Sequence, residues 1–129
     1  EHEPRLVVVY AGDNDIAAGK SPEQVADDFK SLVKVIHDRL ENTKIVFLAI
    51  KPSIARWQLV DKMRAANRLI ESECGRDKRL IFVDVFTPML GDDGRPRKEL
   101  FIKDGLHLNA AGYELWSSIL KPHLEPVND

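Results

Sequence analysis

The sequence predicts an α/β sandwich of three layers, with a parallel sheet held between helices. Two observations predict it. Three short runs are apolar without alternation, Leu6 to Tyr10, Lys44 to Ile50 and Leu80 to Phe86, which is the pattern of strands covered on both faces. Stretches of helical period lie between and after them. Strand and helix therefore alternate, and alternation implies parallel strands joined by right-handed crossovers. No repeat, low-complexity tract or Gly/Ser linker breaks the order, so residues 1–129 read as a single domain.

Leu6 to Tyr10 (LVVVY) is rich in β-branched residues and too short for a helix. Ser21-Pro22-Glu23-Gln24 opens the first helix. Ser21 caps, Pro22 wastes no donor in the first turn, and Gln24 reaches back to complete a capping box. The stripe Val25, Phe29, Leu32, Val33, Ile36, Leu40 then keeps the helical period; His37 lies off it and reads as solvated. Lys44 to Ile50 (KIVFLAI) is the second strand. A helix is expected from about Leu59 to Cys74, with Val60, Met63, Asn67 and Ile70 near one face and Gly75 as a left-handed stop. Leu80 to Phe86 (LIFVDVF) is the third strand, followed by a long loop. The last helix begins after the cap Asn109 and carries Tyr113, Trp116, Ile119 and Leu120 before Pro122.

Composition excludes several classes. The chain is 43% hydrophobic and 31% charged, ordinary for a soluble domain. Its 19 Lys and Arg against 21 Asp and Glu give a formal charge of -2. Nucleic acid is therefore not an expected partner, because phosphate binding needs a local basic surplus. The longest apolar run, Ile45 to Ile50, falls far short of the roughly 20 residues of a membrane span. Glu1-His2-Glu3-Pro4-Arg5 lacks the apolar stretch of a signal peptide. The expectation is a soluble chain, cytoplasmic if it is complete. The one cysteine, Cys74, permits no internal disulfide or Cys-built zinc site and reads as a small buried hydrophobe.

Ligands of such sheets bind beyond the carboxyl ends of the strands. Three loops lie there: Ala11-Gly12-Asp13-Asn14-Asp15, Lys51-Pro52-Ser53, and Thr87 to Lys103, which runs into Asp104-Gly105-Leu106-His107-Leu108-Asn109. Asp13, Asp92 and Asp93 read first as turn formers, and Arg56 as facing water. Trp57 and Trp116 are candidates for a cleft wall, although Trp116 keeps a core spacing. Asp104 and His107 carry more. A carboxylate three residues before a histidine on a turn can accept from Nδ1–H and leave Nε2 free. That fixes the tautomer of a general base and stabilises the imidazolium that forms. From another strand end, Asn14 offers a carboxamide able to donate to a developing oxyanion.

Gly12-Asp13-Asn14-Asp15 resembles the third block (G-x-N-D) of the SGNH or GDSL-type hydrolases, and Asp104-Gly105-Leu106-His107 resembles their fifth (D-x-x-H). The blocks stand in the family's order. The surroundings VVVYAGDNDIA, FLAIKPS and DGLHLNAAGYELW are similar to an esterase-like branch. The resemblance implies a flavodoxin-like sheet, a small ester or acyl substrate, and no metal or organic cofactor. It implies His107 as base to a serine nucleophile, Asp104 as its orienting partner and Asn14 as a donor of the oxyanion hole. Gly12 and Ser53 would stand on the substrate side, with Asp15 in support.

Two of the family's blocks have no counterpart. One supplies the nucleophilic Ser and the other a Gly of the oxyanion hole, both ahead of the G-x-N-D strand; the residues before Gly12 contain no Ser. The expectation is the carboxyl-terminal portion of such a hydrolase, with its amino-terminal strand–helix units missing and little or no esterase activity. Ser21 reads as a cap, and Ser31, Ser72, Ser117 and Ser118 lie within helices. Ser53 alone follows a strand end, without the strained elbow of a nucleophile. Leu6 to Tyr10 would then be a bare edge strand, which predicts a homodimer paired through it. Other readings are a non-catalytic self-assembling module, a receiver-like phosphoacceptor drawing on Asp13, Asp15, Asp84 and Lys51-Pro52, and a metal-dependent hydrolase gathering Asp13, Asp15, Asp104 and His107.

Overall fold

In the computed structural model, which describes residues 5–124, the three apolar runs form one parallel sheet in the order β1-β2-β3. The strands are β1 (Leu6–Val9), β2 (Lys44–Leu48) and β3 (Leu80–Val83). Val8 stands opposite Val46, and Val46 opposite Ile81. The middle strand is the buried one. Its side chains alternate between the faces, Ile45 and Phe47 to one and Val46 and Leu48 to the other.

Helices α2 (Pro22–Arg39) and α3 (Val60–Cys74) cover the first face through Val25, Phe29, Met63 and Ile70. Helix α4 (Ala110–Leu124) covers the second through Trp116, Ile119 and Leu120. Phe47 is 1% exposed, and its burial contributes roughly 2–3 kcal/mol. Its ring meets Phe29 edge-on at 5.1 Å between centroids. The capping box of α2 forms as expected: Ser21 Oγ accepts from the Gln24 N–H at 3.1 Å and Gln24 Oε1 from the Ser21 N–H at 2.8 Å. None of the described helices is long and apolar enough to cross a membrane.

Several expectations are corrected. The first strand is not covered on both faces, since Val8 is 41% exposed, although β1 does lie at an edge of the sheet as expected. A short helix, α1 (Asp13–Ala17), follows it directly. Gly75 is right-handed at φ -67°, because two further turns, Arg76 N–H to Glu73 O and Asp77 N–H to Cys74 O, continue the hydrogen bonding without a reversal. Pro122 lies inside α4, in its last described turn, where it forfeits one backbone bond. His37 is not simply solvated, for its Nε2 lies 2.8 Å from the Thr43 carbonyl. Trp116, as its core spacing suggests, packs inward, donates to Met89 Sδ at 3.4 Å and meets the Tyr10 ring edge-on at 5.1 Å. Cys74 is buried as expected, and burial pushes its thiol up to about 11.

The strand ends are shaped by side chains that replace sheet partners. Asn67, buried on α3, accepts the Ile50 N–H at 2.8 Å and donates to the Ile50 carbonyl at 3.0 Å. The backbone just beyond β2 is thereby satisfied away from the sheet and turns into Lys51-Pro52-Ser53. Beyond β3, Asp84 Oδ1 accepts from the N–H groups of Phe86 and Thr87 and bends the chain into the long loop.

Candidate active site

The Asp104–His107 turn is built from its own backbone. Asp104 Oδ1 accepts from the N–H groups of Leu106 and His107, each at 2.9 Å, which leaves Oδ2 to meet His107 Nδ1 at 2.6 Å. Gly105 takes φ +65° within this turn, a conformation that glycine adopts without a Cβ penalty. The hydrogen bond from His107, helped by the two N–H groups, holds the Asp104 carboxyl at about 2. His107 is largely exposed, and its Nε2 has no hydrogen-bond partner among the described residues. The turn stands on α4: Asn109 Oδ1 accepts from the Gly112 N–H at 3.0 Å, and its amide donates to the carbonyls of Glu99 and Phe101.

The loop after β1 is built from charge. Gly12 takes φ +113°, and a Cβ there would lie 2.8 Å from Ile50 Cδ1. The turn points Asp13 inward, to 7% exposure. Lys51 Nζ donates to Asp13 Oδ2 at 3.0 Å, and Arg56 Nη1 to Asp13 Oδ1 at 2.8 Å. The Tyr10 hydroxyl also donates to Oδ2, at 3.4 Å. Burial, and then the neighbouring Asp13 charge, drive the Tyr10 phenol well above its ordinary range. Arg56 Nη1 makes a second contact, 3.0 Å to Asn14 Oδ1. An arginine only donates, so this contact fixes which end of the Asn14 carboxamide faces in. The oxygen meets Arg56, and the Nδ2 hydrogens have no partner among the described residues.

A third loop ties these two together. The Arg56 N–H donates to Ser53 Oγ at 3.1 Å, and the Ala55 N–H to the Gly105 carbonyl at 3.0 Å. The Ser53–Arg56 segment thus holds Asn14 through a side chain and the Asp104–His107 turn through its backbone.

Three sequence readings change here. Asp13 is the hub of a buried ion cluster rather than a turn former. Arg56 faces that cluster, with its side chain 21% exposed. Ser53, expected on the cleft surface, is 1% exposed and spends its oxygen on the Arg56 backbone. Asp15 lies 3.9 Å from Lys20 and bonds to none of Asn14, Asp104 and His107 among the described contacts. Asp93 does form a turn, accepting the Arg95 N–H at 2.9 Å. Among the described residues no three His, Cys, Asp or Glu side chains gather to hold a metal ion. Asp84, the receiver-like candidate, is occupied by backbone N–H groups. Arg56 and Asp13 left one signal in the sequence: opposite charges in the loops after adjacent parallel strands.

A groove of about 900 Å³ runs between Ile54 and Trp57 on one side and the Leu90–Glu99 segment on the other. It does not contain His107 or Asn14. It borders the Asp104–His107 turn through Ile54, whose side chain packs against Gly105.

Comparison with known proteins gives the same architecture. Residues 1–115 match the family model of the GDSL-like Lipase/Acylhydrolase family. The chain is 30% identical over 119 residues to the human platelet-activating factor acetylhydrolase IB subunit alpha1, covering 88% of this chain and 48% of that protein. It spans about half the length of that relative. Its fold is similar to a GDSL-like lipase from Bacteroides thetaiotaomicron, with a TM-score of 0.78 at 22% identity over 93% of this chain and 62% of that one. It is similar also to the OSK domain of Drosophila Oskar, with a TM-score of 0.77 at 20% identity over 98% of this chain and 65% of the other. On the strength of the family match, the chain belongs to the GDSL-like lipase/acylhydrolase family.

Proposed function

We propose that these residues carry the base and one oxyanion donor of an acyl-hydrolase centre that acts on a small ester or acyl group. His107 takes the proton of an attacking hydroxyl through Nε2. Asp104 holds the ring and stabilises the imidazolium, and an Asn14 Nδ2–H donates to the carbonyl oxygen as it becomes negative. The observation that supports this reading is the Ser53–Arg56 segment, bonded to Asn14 through the Arg56 side chain and to Gly105 inside the histidine turn through the Ala55 N–H. Gly12 turns the chain so that Asn14 follows a buried Asp13. Ser53, buried and bonded, is a poor nucleophile, and no other serine stands at a strand end.

Triad members act as a unit, so these 129 residues alone should hydrolyse esters at little more than background. The test is p-nitrophenyl acetate hydrolysis by the chain, by His107→Ala and by Ser53→Ala. Background rates in all three are expected. Saturable turnover lost in Ser53→Ala would overturn the view that a nucleophile is lacking. A second reading, a non-catalytic assembly module, is favoured by the edge position of β1, whose outer side pairs with no strand among the described residues and could take a strand of another copy.

A further inference from the structure

We infer that Arg56 is a positioning residue: it clamps the Asn14 carboxamide with its N–H groups outward and sets an unbalanced positive charge behind it, making a site for a carboxylate or an equivalent oxyanion. The ligand half of this inference rests on the proposed role of Asn14 as an oxyanion donor. The positioning half does not.

The exposed carboxamide of Asn14, on a five-residue helix, rotates about a broad terminal torsion, and a flip exchanges its donor for its acceptor. Facing a developing anion, the flipped form would repel it. Arg56 removes the choice, because Nη1 at 3.0 Å tolerates only the oxygen of Asn14. Arg56 is itself anchored at two points, one of them a carboxylate that Lys51 also holds. Its Nη1 lies 2.8 Å from Asp13 Oδ1, Lys51 occupies the other oxygen of that carboxylate, and its backbone N–H is bonded to Ser53 Oγ.

The charges do not cancel. Lys51 and Arg56 share the single carboxylate of Asp13, with side-chain exposures of 7%, 21% and 10%. Tyr10, its phenol raised, stays neutral and adds no negative charge. One positive charge is left over in a sparsely hydrated cluster where solvent screens it weakly. The Nε and Nη2 hydrogens of Arg56 have no partner among the described residues and are not sealed from solvent. Donors without acceptors and a surplus positive charge fit an anion with oxygen acceptors, such as the carboxylate released from an ester.

Nuclear magnetic resonance of the ¹⁵N-labelled chain tests this, with the Asn14 side-chain amide assigned by its loss in Asn14→Asp and sodium acetate as the probe. In the wild type the two Nδ2 protons should resonate away from free-asparagine positions and shift on adding acetate. In Arg56→Met they should collapse toward free-asparagine positions, and acetate should bind about tenfold more weakly for loss of a charge-assisted partner. Arg56→Lys keeps the charge and should restore both in part. Asn14 signals unchanged in Arg56→Met, with a dispersed backbone spectrum, would overturn the inference. If Arg56→Met loses dispersion, Arg56→Lys decides instead: displaced Asn14 signals support the clamp and unchanged ones overturn it. Wild-type Asn14 signals indifferent to acetate, yet displaced by the Arg56 variants, would leave the clamp standing and bring down the oxyanion role of Asn14.

Discussion

The turn from Asp104 to His107 and the cluster around Asp13 each organise a carboxylate, but by opposite means. Every bond to the Asp104 carboxylate spans two or three residues. The bonds that bring Lys51 and Arg56 to Asp13 and Asn14 span 38 to 43. The turn is exposed and its partners face water, so it can present a histidine to a substrate while adding little to folding. The cluster is buried, and it exists only once β1 and β2 are paired. In the proposed centre, one region would display the chemistry and the other weld the loops that aim it.

Predictions that break this contrast can be ranked by size. Asp13→Ala strands a buried lysine and a half-buried arginine and should cost about 3–5 kcal/mol in chemical denaturation. Lys51→Met leaves Asp13 with Arg56 and should cost less, about 1–3 kcal/mol. Gly12→Ala forces a side chain into φ +113° against Ile50 and Val25, at about 1–3 kcal/mol in the same assay. Val8→Lys should leave the denaturation midpoint near wild type, yet convert the expected homodimer to a monomer in light scattering. A wild-type monomer at micromolar concentration would remove the edge-pairing proposal.

The smallest effect on stability belongs to Asp104→Asn. The Asp104 carboxyl titrates at about 2 in the fold against 3.8 when unperturbed. A lowered carboxylate stabilises the fold above its unfolded value and loses that contribution as pH falls through the folded one. The midpoints of wild type and Asp104→Asn should therefore differ slightly above pH 4 and converge by about pH 2. A large gap at neutral pH would contradict the view of the turn as a display element.

The same contrast explains what the sequence could tell. The capping box at Ser21 and the D-x-x-H turn are written in residues three apart, so their geometry follows from local rules. Arg56 is not legible in that way. Its partners, Asp13 and Asn14, become neighbours only through the pairing of β1 with β2, and a lone arginine after a strand looks like any solvated one. Ser53 misled for the same reason, since its burial depends on the Arg56 backbone folding over it. Gly75 does stop α3, though without the left-handed turn, whereas Pro122 lies inside α4, where the rule for stopping a helix permits continuation. The run Leu6 to Tyr10 reads like a covered strand because exposure is set by what lies beside it, which the run does not encode.

The central claim is that Asn14 and His107 face one ligand. An acetate titration followed at once on the Asn14 Nδ2 protons and on the His107 ring protons tests it most directly. Both sets of signals should move together and fit a single Kd. Movement at only one of the two residues, or two separate Kd values, would contradict the account.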